Sequence, residues 1–285
     1  MYLDLNNTLL HLFCKITRAN CTNIKADAKV APIHYPVATM FNQVGINLGD
    51  RLITQSDNMY AYRAYIESIL NYSCESLDTQ LSAGLFYKDT QAHFEYMALD
   101  GGNNGFKKRA SFATGSIQFD FLERKHSDLF FQDKLLDNGI DLKIKLNRNN
   151  DVFYLIGGDA EQYKLVILSA SLFVKKVKVS PSVRLADTGA LQLSNVKNAI
   201  ERVALKIFSI PAGTRLTQQQ HLFLGQLLKL IIKGFVDNTA FSRLYTSNPF
   251  NFKHYDINYS ALVHEGAVLP AKPFTPSFGT SNFVR

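Results

Sequence analysis

The chain has no tryptophan and few cysteines: Cys14, Cys21 and Cys74 are the only three, and none stands in a CxxC pair. That usage supports neither a zinc site nor a disulfide framework and fits a reducing compartment. Long apolar runs are missing as well. The stretch from Leu227 to Phe235 is interrupted by Lys229 and Lys233 and falls far short of the ~20 residues a membrane-spanning helix needs. The opening residues, MYLDLNNTLLHLFCKITR, lack the basic lead, apolar run and small-residue cleavage site of a secretory signal. Secretion and membrane insertion are therefore not expected, and the sequons at Asn20, Asn71 and Asn258 carry no weight. The expected compartment is cytoplasm or nucleus. There is no P-loop, no GxSxG elbow and no HExxH pair, which removes the commonest nucleotide, hydrolase and metalloprotease signatures.

What is present is a globular, aromatic-rich composition. The 285 residues are 46% hydrophobic and 19% charged, with 21 Phe and 13 Tyr, enough for one large domain or two of ordinary size. Net charge is +7, but the 31 basic residues are interspersed with 24 acidic ones. Charge alone does not mark a nucleic-acid binder.

Local patterns point to strands. Leu9 to Thr17 is dense in strand formers and ends in turn-prone residues near Asn20. Val44 to Leu48 and Arg51 to Thr54, joined by Gly49-Asp50, form an expected hairpin. Met59, Tyr62, Tyr65, Ile66, Ile69 and Leu70 recur at steps of three and four, which predicts a helix with Ser56, Asp57 and Asn58 as cap candidates. A shorter helix is expected from Leu77 to Tyr87. Strands are expected again at Ser116 to Leu122, Leu129 to Phe131 and Gly139 to Leu146, where Ile140, Leu142, Ile144 and Leu146 alternate with Asp141, Lys143 and Lys145. Asn147 to Asp151 is a polar break. Beyond it, Tyr163 to Val179 is long enough to need a bend or bulge, with Leu172, Val174 and Val177 on one face and Lys175, Lys176 and Lys178 at its outer end. Further strands are expected at Val203 to Ile210, Tyr255 to Val263 and Ala267 to Leu269, with Leu227 to Val236 readable as strand or helix. Many short strands without regular βα alternation predict an all-β chain with small inserted helices, arranged as two antiparallel sandwiches.

Candidate chemistry is sparse. Gly101-Gly102-Asn103-Asn104-Gly105 lacks the spacing of a dinucleotide loop. His126-Ser127-Asp128 holds the residue types of a hydrolytic triad, but triad members converge from distant positions, so a turn or strand end is the expected use. His254 and Asp256 share one face of an extended segment without a third metal ligand nearby. The basic runs Lys107-Lys108-Arg109 and Lys175, Lys176, Lys178 are expected to be solvated faces. The stripe Tyr60, Tyr62, Tyr65 and Tyr72 is expected to pack, or to serve a protein interface. No catalytic residue, cofactor site or metal site is expected, and the chain is read as a non-enzyme.

Segments of the chain nonetheless resemble one family. Tyr60 to Glu67 (YAYRAYIE), Phe86 to Thr90 (FYKDT), His126 to Gln132 (HSDLFFQ), Val174 to Ser182 (VKKVKVSPS) and Asn248 to Tyr255 (NPFNFKHY) are similar to the hexon-like major capsid protein of Maverick/Polinton elements and adintoviruses, including copies carried in animal genomes. The resemblance implies a tandem double jelly-roll, with residues 1–148 as the first roll and 149–285 as the second. It implies homotrimers that form pseudo-hexameric capsomers of an icosahedral shell, a virion location once assembled, contacts with neighbouring capsomers and with penton and minor capsid proteins, and packaged DNA at the inner face. Family members extend beyond both ends of this sequence, so it implies a piece incomplete at both termini, lacking the opening strand of the first roll and the closing strands of the second. Other readings from the residues themselves are a carbohydrate- or ligand-binding jelly-roll and a nucleic-acid binder.

Overall fold

The computed structural model describes residues 1–280 except 55–56, 138, 159–161, 221, 224–227, 242–243 and 265. Among them the strands are β1 (Tyr2–Arg18), β2 (Val30–Pro32), β3 (Phe41–Leu48), β4 (Arg51–Leu52), β5 (Phe119–Arg124), β6 (Leu142–Arg148), β7 (Leu155–Gly157), β8 (Tyr163–Val177), β9 (Ser260–His264) and β10 (Ala267–Phe274). The helices are α1 (Pro36–Thr39), α2 (Tyr60–Asn71), α3 (Cys74–Asp78), α4 (Asn104–Ala113), α5 (Asp151–Tyr154), α6 (Pro181–Leu193) and α7 (Asn238–Phe241). The chain is mostly β, built from several small antiparallel sheets: β5-β1-β8, β4-β3-β6, β2-β7 and β9-β10.

β1 organises the core. Leu10, Leu12, Cys14 and Ile16 point inward at every second position and are buried, which follows from the period of two that alternates side chains across a sheet. Each such side chain stabilises the fold by about 1.5–3 kcal/mol. β8 runs antiparallel along nearly the whole of β1, from Tyr2 opposite Val177 to Arg18 opposite Tyr163. The pairing has two irregularities, and the one expected from the length of β8 is the bulge at Leu168. Between Asp4 opposite Lys175 and Leu9 opposite Phe173 the β1 chain loops out, pinned by Asn7 Nδ2 on Asp4 Oδ2 at 2.8 Å and Thr8 Oγ1 on the Asp4 carbonyl at 3.1 Å. The excursion drives Leu5 into the core. A second bulge lies at Leu168, between Phe13 opposite Ser169 and Cys14 opposite Ile167.

The hairpin β3–β4 forms as expected, with Gly49 supplying a positive φ of 58°. α2 also forms, although Ile69 and Leu70, expected on its packed face, are exposed in its last turn. Asp57 Oδ1 accepts the Met59 N–H at 3.2 Å, while Ser56 lies outside the described residues. The next expected helix is shorter and broken: α3 is followed by a 3₁₀ turn, Gln80–Gly84, and Leu85 to Tyr87 is not helical.

Several expectations give way. Leu129 to Phe131 belongs to a 3₁₀ helix, Asp128–Phe131, which buries Leu129 and Phe130. β6 begins at Leu142, so Ile140 stays outside it and is exposed, while Leu142, Ile144 and Leu146 pack half-buried on the core. Val203 to Ile210 forms no strand, because nothing among the described residues pairs with it. Residues 228–235 are irregular, Leu227 lies outside the described residues, and Val236 makes one isolated bridge to Phe252. Just beyond the polar break at Asn149, β7 pairs with β2 and β8 with β1. Among the described residues no helix is long and apolar enough to cross a membrane.

Burial is uneven along the chain. Up to Leu165 the core is dense, whereas beyond it only Ala240 and residues 248–250 are buried among the described residues.

Candidate functional site

Two buried polar clusters hold most of the chemistry-bearing side chains. The first is centred on His126. Its Nδ1 lies 3.1 Å from Glu67 Oε2, and its Nε2 lies 2.6 Å from the Tyr35 hydroxyl and 3.3 Å from Ser68 Oγ. Arg63 donates through Nε to Glu67 Oε1 at 2.9 Å and through Nη2 to Asp128. Arg63, Glu67 and Ser68 lie on the inner side of α2, one helical turn apart in the case of the Arg63–Glu67 pair. Tyr35 reaches the cluster because its backbone adopts the left-handed conformation, φ 63°, at the start of α1. Burial pushes His126 below its ordinary value, so the neutral ring is the resident form. Burial opposes ionisation of Glu67, but the His126 hydrogen bond and the Arg63 charge outweigh it and hold the carboxyl below its ordinary range.

Glu67, His126 and Ser68 have the order of an acid, base and hydroxyl relay, but Glu67 and Ser68 are neighbours on α2 and only His126 joins them from another part of the chain. The surroundings do not suit catalysis. Ser68 and His126 are 0% and 2% exposed, and the Ser68 hydroxyl is committed to the Ala64 carbonyl at 2.8 Å. The adjoining cavity, lined by Gln43, Thr54, Asp57, Tyr60, Arg63 and His126, is about 20 Å³, room for one water and no substrate. Of the tripeptide His126-Ser127-Asp128, only His126 enters this relay. Asp128 pairs with Arg63, and the buried Ser127 hydroxyl has no partner among the described residues.

The second cluster is centred on Asp89. Arg109 Nη2 donates to Asp89 Oδ1 at 2.6 Å, Arg109 Nε to the Pro32 carbonyl at 2.8 Å and Nη1 to the Tyr87 carbonyl. Asp89 Oδ2 accepts from Asn248 Nδ2 at 2.8 Å and lies 3.0 Å from His34 Nδ1. Burial alone would raise the Asp89 carboxyl, yet the Arg109 charge and His34 outweigh it and hold it at about 2. Burial lowers His34, whose ring packs on Tyr65 at 4.8 Å and Phe250 at 5.4 Å between centroids. Arg109 is thus the correction to the basic run 107–109: Lys107 and Lys108 are exposed, but Arg109 is entirely buried and matched to Asp89.

Beside the first cluster, burial pushes the Glu123 carboxyl up to about 7 and the Lys125 ammonium down to about 7. Lys125 Nζ has no hydrogen-bond partner among the described residues and lies 4.8 Å from the centre of the Phe41 ring.

The remaining candidates fall elsewhere. In Gly101–Gly105, Asn103 caps α4 by accepting the Phe106 N–H at 3.2 Å, and Gly105 is pressed against the backbone, where a Cβ would meet the Lys88 carbonyl oxygen at 2.3 Å. That glycine serves close packing. His254 Nδ1 and Asp256 Oδ1 are 3.2 Å apart at the surface, and among the described residues no group of three metal-ligating side chains forms. Tyr60, Tyr62 and Tyr65 are buried and Tyr72 is half-buried, so the tyrosine stripe packs and offers no open aromatic platform. Lys175 and Lys176 are exposed, and Lys175 pairs with Asp4 at 3.0 Å. Cys14 is buried, its thiol pushed up to about 12, while Cys21 and Cys74 are free and exposed.

The open feature of the molecule is apolar surface. Leu168, Leu172 and Phe173 on β8, Leu185 and Leu193 on α6, and Val196, Leu216 and Leu230 beyond it are all exposed. No residue of α6 is buried.

No protein-family model matches the chain, and no solved structure does. The chain is similar to the uncharacterized protein F54H12.2 of Caenorhabditis elegans, 22% identical over 294 aligned positions that cover 99% of this chain and 68% of that protein.

Proposed function

We propose that the chain is a structural protein, a hexon-like major capsid subunit of the Maverick/Polinton and adintovirus kind, with two jelly-rolls in tandem and trimeric, pseudo-hexameric capsomers as its product. The β1–β8 pairing is, in this reading, the seam between the rolls. The observation that carries the proposal is the separation of chemistry from surface. The two multi-residue acid–base clusters, around His126 and Asp89, are sealed inside, while the second part of the chain presents large apolar side chains such as Leu185, Leu193, Leu216 and Leu230 to solvent. A subunit that completes its burial by assembling has that character, since exposed apolar patches mark association surfaces. Two of the segments that carry the family resemblance also supply the sealed framework, through Asp89 and Asn248, and two more supply it through Arg63, Glu67, His126 and Asp128. Its partners are its own copies, neighbouring capsomers, and penton and minor capsid proteins, with packaged DNA at the inner face.

Sedimentation velocity with negative-stain microscopy on the full chain tests this. Trimers, hexagonal capsomers or shells are the expected species. A dispersed monomer that binds a titratable sugar or oligonucleotide overturns the proposal.

A further inference from the structure

We infer that the outer edge of β8 is a two-fold contact that joins this chain to a second copy of itself through antiparallel strand pairing centred on Ala170. β8 is the last strand of the sheet β5-β1-β8, and among the described residues no strand pairs with its outer side. At its start the edge is covered: Tyr245 donates to the Tyr163 carbonyl at 3.0 Å, and the Leu165 N–H donates to Asp151 Oδ1 at 3.1 Å. Farther along, the side chains stand in solvent, with Leu168 41%, Leu172 41% and Phe173 56% exposed. Edge strands are normally protected by charge or proline, yet from Leu165 to Val174 there is neither.

The occupant is written in the strand itself. Read outward from Ala170, the residues are Ser169 and Ser171, Leu168 and Leu172, Ile167 and Phe173, Val166 and Val174, and, one step past Leu165 and Lys175, Lys164 and Lys176. The strand is nearly palindromic. In an antiparallel pair about a two-fold axis through Ala170, Ser169 faces Ser171 of the copy, and beyond the bulge at Leu168 the register moves by one, so that Ile167 faces Leu172, Val166 faces Phe173 and Leu165 faces Val174. Serine then meets serine and, outside the bulge, each large apolar side chain meets another, as an isologous contact requires. A slip by one residue sets Leu against Ser and turns the side chains to the wrong face. Lys164 opposite Lys175 sets like charges at both ends, which limits the ladder to the apolar stretch between them. The bulge at Leu168 recurs symmetrically on each side of the axis. The product is a continuous sheet in the order β5-β1-β8-β8-β1-β5. This contact is separate from the three-fold contact of a capsomer and does not rest on the capsid reading.

The test is cysteine cross-linking in the full chain with Cys21→Ser and Cys74→Ser. Directly opposed residues in an antiparallel pair have Cα atoms about 4.5–5.5 Å apart, within disulfide range, whereas the two copies of residue 172 lie about 13 Å apart. Under mild oxidation Ala170→Cys should form covalent dimer at least about tenfold more than Leu172→Cys. Ala170→Lys, which sets two lysines face to face on a side chain that is exposed in the subunit, should weaken self-association at least about tenfold in sedimentation equilibrium. Equal cross-linking at 170 and 172, or association unchanged by Ala170→Lys, overturns the inference. Should Ala170→Lys lose its fold by circular dichroism, the two cysteine variants decide alone. Trimers without an Ala170→Cys cross-link overturn it while leaving the capsid reading standing. A cross-linked dimer that never forms trimers or shells upholds it and defeats that reading.

Discussion

Residues 1–165 and residues 166–280 of one chain treat water in opposite ways. The first region encloses even its ions: the Asp89, Arg109 and His34 side chains have no exposed surface, and Arg109 and His34 each bond the Asp89 carboxylate. The second leaves leucines such as Leu185 and Leu193 in solvent and buries only Ala240 and residues 248–250 among the described residues. The second region is also poorer in regular structure, since among the described residues from 194 to 235 none belongs to a strand or helix. What differs further is who supplies the other half of each contact. In the first region the chain supplies it to itself, across separations such as Asp89 to Asn248. In the second, the proposed assembly supplies it.

The contrast is broken most severely at Arg109. Arg109→Ala strands the buried Asp89 carboxylate, and removing one partner of a buried ion pair costs about 3–5 kcal/mol. Urea unfolding should show a fall of that size, and a change under ~1 kcal/mol would mean that water already reaches Asp89. A matched pair of leucines comes next, one on each of two adjacent strands. Leu12→Ala in β1 should cost about 2–5 kcal/mol, as truncation of a fully buried leucine does. Leu172→Ala in β8 should leave the subunit's stability within about 1 kcal/mol of the parent and act on association instead. Equal losses at the two sites would erase the distinction.

A pH effect of a few kcal/mol at most sharpens the picture within the first region. Glu123 has a folded value of about 7, raised above its ordinary 4.5, so the stability tied to its protonated form is complete below that ordinary value and is lost as pH rises through about 7. Glu123→Gln should therefore gain on the parent progressively between pH 5 and 8 in thermal unfolding. Lys125 runs the other way: its depressed value gives stability that is present above 10.5 and is lost as pH falls toward about 7. A Glu123→Gln advantage that shrinks with rising pH contradicts the burial of that carboxyl. The smallest effect belongs to Lys229 and Glu201, paired at 2.7 Å but fully in solvent. Lys229→Ala should leave the unfolding midpoint where it was, because exposed pairs gain little over hydration.

Elements with a clean period were legible in the amino-acid order. β1, the β3–β4 hairpin, α2 and the bulged β8 repeat at two or at three to four residues, whereas of the expected strand Tyr255 to Val263 only the part from Ser260 forms, because Tyr255 and Asp256 turn with positive φ. Short apolar runs were not. Leu129 to Phe131 fits a strand or a single 3₁₀ turn equally well by composition, and tertiary burial decided between them. α4 was masked by its glycine-rich start, although Asn103 before it is a capping residue. α6 is marked in the sequence by Ser180 as N-cap with Pro181 in the first turn. Of the His126 cluster, only the i,i+4 pair Arg63–Glu67 was accessible locally. His126 lies 59 positions from Glu67 and 91 from Tyr35, and no local pattern encodes that meeting.

Cys14 turns the β1–β8 sheet into something that can be timed. Its thiol sits within the long pairing, opposite Ile167, fully enclosed and pushed up to about 12 by burial, whereas Cys21 and Cys74 are exposed. Only thiolate attacks an alkylating reagent. Two cysteines should thus react at once in the native chain, and the third only as often as β1 parts from its neighbours. With a fast reagent the rate of that third modification equals the opening rate of the sheet; with a slow one it gives the equilibrium population of the opened form. One buried sulfur atom therefore reports how tightly the pairing that spans the polar break at Asn149 is held, and how often it lets go.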